Sequence, residues 1–190
     1  MAQLLPVIEN CLPDRRVDWA PATGSERWIV LSGETLDKDV ARVVASIARY
    51  NNSEIGLRDT LQETSAAIVD AEIFVVGGGL LFREGDFVVE PGCCCGLESW
   101  REWFAAKKGG QSPWMGHDPM AWIDCSGDTA IVWLDEFNAQ AATVSYEALR
   151  DALNVAARDL ADFVERLRAW GAANGTHPEL PDVFARAFDV

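Results

Sequence analysis

The segment VVGGGLLFREGDFVVEPGCCCGLESWREW, Val75 to Trp103, decides the fold class. Leu80 to Arg83 and Phe87 to Glu90 are apolar runs on either side of Glu84-Gly85-Asp86, and a Gly-Asp turn between two such runs predicts a hairpin. Ile73 to Val76 reads as a further strand that Gly77-Gly78-Gly79 breaks. These glycines lack the lysine and hydroxyl of a phosphate loop, so a bulge or tight turn is the better reading. Beyond Pro91-Gly92 and three contiguous cysteines, Leu97, Trp100, Trp103 and Phe104 recur at helical spacing. They predict a short helix with an aromatic face, closed by Lys107-Lys108-Gly109-Gly110.

Moving outward, Ala121 to Asp124 and Thr129 to Leu134 pair across Cys125-Ser126-Gly127-Asp128 as a second hairpin. Tyr146, Leu149, Leu153, Ala156, Leu160, Phe163, Leu167 and Trp170 then alternate in steps of three and four, the signature of a long amphipathic helix. Asp162 and Arg166 form an i, i+4 pair on its far side. Such a seam is expected to lie across a sheet; its competing use is a homodimer through residues 146–170. Towards the amino end, Leu36, Val40, Val43, Val44 and Ile47 share one helical face behind a cap at Thr35 or Asp37, and Leu57, Leu61, Thr64 and Ile68 predict a second helix within 53–67. Arg27 to Leu31 is a short strand. Residues 1–24, with Pro6, Pro13 and Pro21, read as an irregular arm, and 175–190 as a tail packing on the same domain. The expectation is one α+β domain over 1–190: a mostly antiparallel central sheet built from two hairpins, packed by amphipathic helices that include the long C-terminal one.

Thirty acidic against 16 basic side chains give a net charge of -14, which repels phosphate backbones and anionic membrane surfaces and suits a basic protein partner. No apolar window reaches the roughly 18 residues of a spanning helix, since Ala71 to Leu81 is interrupted by Glu72 and three glycines. The five cysteines are odd in number and three are adjacent, which argues against a disulfide framework and for a reducing, cytoplasmic setting. No cofactor fingerprint is present, so none is expected.

Two readings compete for the cysteines and aromatics. In the first, Cys93, Cys94 and Cys95 are small apolar filler packed between sheet and helix, and recognition falls to the surface. Its binding residues are Trp114, Trp122 and Trp133 with Asp124, Asp128, Asp135 and Glu136, aromatic anchors inside a charged rim. In the second, the cysteines precede a helix whose N-terminus favours a thiolate, and the catalytic set is Cys93, Cys94, Cys95, His117 and Asp118, with Asp124 as another orienting carboxylate. A zinc variant uses Cys93, Cys95, His117 and Cys125, on the premise that alternate residues of an extended segment face one way. Its spacing matches no standard zinc pattern.

The order of the opening segment, then WMGHDP (114–119), then the tryptophan-bearing hairpin AWIDCSGDTAIVWLDE (121–136), resembles small cytosolic bacterial proteins of the toxin-immunity kind, of which the SUKH superfamily is the broad α+β example. The resemblance implies a non-enzymatic domain that binds and blocks a toxin; the runner-up is a thiol- or zinc-dependent enzyme.

Overall fold

Gly78 and Gly79 open a strand instead of ending one. The computed structural model describes residues 1–11, 17–21, 26–106, 110–135 and 140–190. In chain order its elements are β1 (Gln3–Glu9), β2 (Trp28–Val30), α1 (Asp37–Tyr50), α2 (Leu61–Asp70), β3 (Gly78–Glu84), β4 (Phe87–Val89), a 3-10 helix (Leu97–Ala105), β5 (Trp122–Ser126), β6 (Thr129–Trp133), β7 (Ala141–Ser145), α3 (Tyr146–Asn174) and α4 (Leu180–Phe188). The fold is α+β. Strands run β2-β1-β3-β4 in one sheet and β5-β6-β7 in another, so the two hairpins go to different sheets. By backbone proximity the chain divides into two compact units, Met1–Val7 with Gly78–Arg158, and Ile8–Gly77 with Asp159–Val190; the division falls within β1 and within α3.

In the first unit, β3 and β4 pair antiparallel with Phe82 opposite Val89 and Glu84 opposite Phe87, as the Gly-Asp turn requires. A side chain at Gly79 would press on the Cys95 thiol and Pro91 at 3.1 Å, so a residue without a Cβ belongs in this strand because another segment lies close against it. The second hairpin keeps its register from Trp122 opposite Trp133 to Ser126 opposite Thr129; its strands run right up to Gly127-Asp128 instead of stopping at Asp124. β7 adds to β6 with Ala130 opposite Val144 and Trp133 opposite Ala141, a strand the sequence did not announce. Ile123, Ala130, Val132 and Val144 alternate to the buried face, leaving Trp122, Asp124, Ile131 and Trp133 on the other.

In the second unit, α1 buries Val40, Val43, Val44 and Ile47 and carries Asp37 and Asp39 in its first turn, where the helix dipole favours carboxylates. Its N-cap position is Leu36, without a side-chain cap; the Thr35 hydroxyl instead accepts from Ser32 N–H and donates to Val30 O. The second helix starts later than its apolar spacing suggests, because Thr60 and Glu63 form a capping box that fixes the start of α2 at Leu61. Ile73 to Val76 is not a strand: it follows α2 as an irregular segment in which Asn51 holds Val75 through both backbone groups, at 2.8 Å each. Arg166 does not serve an i, i+4 pair. It donates to Thr35 O at 3.0 Å and salt-bridges Asp37 at the start of α1. Phe163, Phe184 and Phe188 form an aromatic cluster with centroids 5.7 to 6.4 Å apart, so the C-terminal residues pack as expected, as a helix over 180–188.

Residues 1–24 are not an irregular arm throughout. Leu4, Val7 and Ile8 are buried on β1, and Pro6 sits within that strand, disguising it in the sequence. Segments 12–16, 22–25 and 107–109 lie outside the described residues, and with them the expected Lys107-Lys108-Gly109 helix stop. The seam residues of α3 from Leu149 through Leu153, Ala156, Leu160, Phe163 and Leu167 to Trp170 are all buried, with Tyr146 half-buried. No helix among the described residues is long and apolar enough to cross a membrane.

Candidate functional site

The two unusual motifs of the sequence pair with each other. Gly92 N–H donates to Met115 O at 2.8 Å, Cys93 N–H to His117 O at 2.7 Å, and His117 N–H to Cys93 O at 2.9 Å, a two-way bridge between the cysteine run and the Gly-His-Asp-Pro turn. The approach depends on glycine on both sides. A Cβ at Gly92 would lie 2.2 Å from His117 O, and one at Gly116 would lie 2.6 Å from the carbonyl carbon of Gly92. Gly116 also has φ 91° and Asp118 φ 45°, backbone angles of a tight turn.

This bridge corrects the expectation that the three thiols are packed together. Cys93 and Cys94 are exposed and only Cys95 is buried, because Cys94 takes φ 63° and turns the run away from an extended course. Cys95 donates to Trp114 O at 3.7 Å, and its thiol is pushed up to about 11 by burial, then by Glu98 and Glu102. The Cys93 and Cys94 sulfurs are 3.5 Å apart. Their shared hydrogen bond is the main cause that raises the Cys93 thiol, followed by desolvation and the charges of Cys94 and Asp118, while a backbone bond from His117 works the other way. Cys125 is raised by burial and by Asp124.

The catalytic set is therefore assembled only in part. His117 sits across the bridge from Cys93, but its ring stands edge-on to Trp114 with centroids 4.7 Å apart, and no hydrogen bond from the imidazole to Asp118 or Asp124 is found among the described residues. The zinc set is not assembled. Among the described residues no three His, Cys, Asp or Glu side chains are placed to hold a metal ion. The premise fails at Cys94, whose positive φ removes the extended geometry that would have aimed Cys93 and Cys95 the same way. His177 belongs to the turn before α4, where its backbone N–H donates to Ser65 and its Nδ1 accepts from Glu179 N–H.

The aromatic set is brought together more fully. Trp122 and Trp133, opposite each other on β5 and β6, stack with centroids 5.3 Å apart and planes 11° from parallel. Trp114 is 43% exposed yet fixed: its backbone N–H donates to Glu102 Oε2 at 3.1 Å and its indole Nε1–H to Cys94 O at 3.2 Å. Trp114 and Trp122 line one cleft of about 480 Å³ with Met115, Met120 and Glu102. Asp124 and Asp128 are exposed along the second hairpin and Asp135 is half-buried, while Glu136 lies outside the described residues.

Glu102, Met115 and Met120 were not foreseen. Glu102 was readable only as a polar position of the aromatic helix, and the methionines only as neighbours of the histidine turn. A second unforeseen surface belongs to the other unit, where Ile73, 79% exposed, lines a cleft of about 850 Å³ with Tyr50, Glu54, Asp70, Glu72 and Val75. It is larger, but it is lined by the ends of α1 and α2 and the segments that follow them, with no tryptophan among its described lining residues. Comparison with protein-family models, with curated proteins and with solved structures gives no match.

Proposed function

We propose that this chain is a non-enzymatic protein-binding domain that holds a basic partner on its acidic, tryptophan-bearing surface. Neutralisation of a basic toxin or effector is the specific form of that role. The carrying observation is the cleft between Trp114 and Trp122, in which two aromatic walls, two methionines and the Glu102 carboxylate converge. Indole faces attract a cationic side chain, methionines adapt to its aliphatic stem, and a carboxylate ends the pocket with the opposite charge. Among the described lining residues Glu102 is the only charged one. Trp114 is held on two sides before any partner arrives, which lowers the ordering cost of binding. The net charge of -14 adds long-range attraction for a basic surface.

The thiol chemistry supports the same choice. Cys93, Cys95 and Cys125 are all shifted towards the protonated thiol, the opposite of what a nucleophile operating at neutral pH needs. A homodimer through 146–170 would have to use the exposed side of α3, since the seam is already covered. A cytoplasmic setting accords with free cysteines.

The test is binding to a panel of arginine- and lysine-rich peptides, and protection of cells that co-express a basic effector. Trp122→Ala and Glu102→Gln are expected to weaken binding by about 10-fold or more each and to reduce protection in step. Binding that both variants leave unchanged would remove this site from the function.

A further inference from the structure

We propose that Cys93 and Cys94 form a vicinal dithiol site that chelates a trivalent, thiol-seeking metalloid of the organoarsenical class. The two sulfurs are adjacent in sequence, 3.5 Å apart and both exposed, whereas Cys95 is 7% exposed and its thiol is engaged with Trp114 O. The left-handed backbone at Cys94 brings the two thiols together, where an extended chain would send them to opposite faces.

The frame that carries them is held from both sides. Cys93 is bonded in both directions to His117, Gly92 to Met115, and the Cys94 carbonyl to the Trp114 indole. The pair is thus set before a ligand arrives, and the second sulfur bond closes intramolecularly.

The separation selects the kind of centre. With sulfur bonds of about 2.3 Å, a linear ion holds its sulfurs about 4.6 Å apart and a tetrahedral ion about 3.8 Å; a pyramidal centre, with tighter angles, holds them closer still. A disulfide would need them at about 2.0 Å. The absence of any third donor placed for a metal among the described residues also favours a centre that takes two protein ligands and keeps a substituent of its own.

The chemistry balances without an oxidant or reductant. A trivalent arsenical carrying two hydroxyls meets two protonated thiols; two arsenic–oxygen bonds break, two arsenic–sulfur bonds form, and each thiol proton leaves with a hydroxyl as water. Arsenic and sulfur keep their oxidation states.

Phenylarsine oxide added to the native protein, followed by intact-mass spectrometry and titration of the remaining accessible thiols, tests the site. The expected result is one arsenical per chain with both exposed thiols lost from the titration, reversed by a small dithiol. Cys93→Ser and Cys94→Ser should each weaken capture by roughly 100-fold or more, and Cys125→Ser should leave it intact. Both substitutions are at exposed positions, and circular dichroism of each variant is the check that the fold is kept. Capture retained by either serine variant, capture lost in Cys125→Ser, or an adduct that spares one of the two thiols would overturn the assignment. None of these outcomes depends on whether the tryptophan cleft binds a protein.

Discussion

At the scale of single residues, Gly92 and Gly116 decide whether the cysteine run and the histidine turn can meet. Gly92→Ala places a methyl group where His117 O already stands, at 2.2 Å, and neither backbone can move without breaking the bridge. It is expected to cost about 1–3 kcal/mol in denaturant unfolding and to speed labelling of Cys95 in the native state. Cys95 itself makes stability depend on pH. Its folded-state thiol titrates near 11 against an ordinary 9.0, so the folded chain holds that proton more tightly than the unfolded one. Its contribution is complete below about pH 9 and is lost as pH rises from there through 11. Unfolding free energy followed over that range should fall more gently in Cys95→Ala than in the parent, whatever the offset between them. The sequence showed the cysteines and the glycines but not their pairing. Residues 92 and 116 join through backbone contacts that no side-chain pattern records, and the positive φ at Cys94, which exposes two thiols, is unusual for a residue other than glycine, asparagine or aspartate.

At the scale of elements, what was legible is what is local. The Gly85-Asp86 and Gly127-Asp128 turns fix both hairpins, and the seven-residue apolar repeat fixes α3, because each signal lies within a few residues of the structure it specifies. β1 was hidden by Pro6, and β7 by the small residues Ala141, Ala142 and Ser145, whose strand is stabilised by its neighbour β6 and not by its own propensity. The start of α2 was obscured because Leu57 continues the apolar spacing backwards past the Thr60 cap. On α3, Phe163 meets Phe184 and Phe188 of α4, and all three rings are fully buried. Phe163→Ala should cost about 3–5 kcal/mol in equilibrium unfolding. A loss below about 1 kcal/mol would mean that α4 does not depend on that cluster.

At the scale of the molecule, 30 carboxylates against 16 cations set a field that favours basic partners before any contact forms. If the proposed site holds, the association rate with an arginine-rich peptide is expected to drop as salt is raised from about 50 to about 500 mM, while the dissociation rate, which the proposal assigns to the tryptophan cleft, changes less. The reverse pattern in stopped-flow traces would place the charge inside the contact and not around it. The most direct measurement is the set of indole N–H resonances followed during titration with such a peptide. The signals of Trp114, Trp122 and Trp133 are expected to move, with those of the buried Trp100 and Trp103 staying in place. No movement at Trp114 and Trp122, or movement confined to Trp19 and Trp28, would contradict recognition at this cleft.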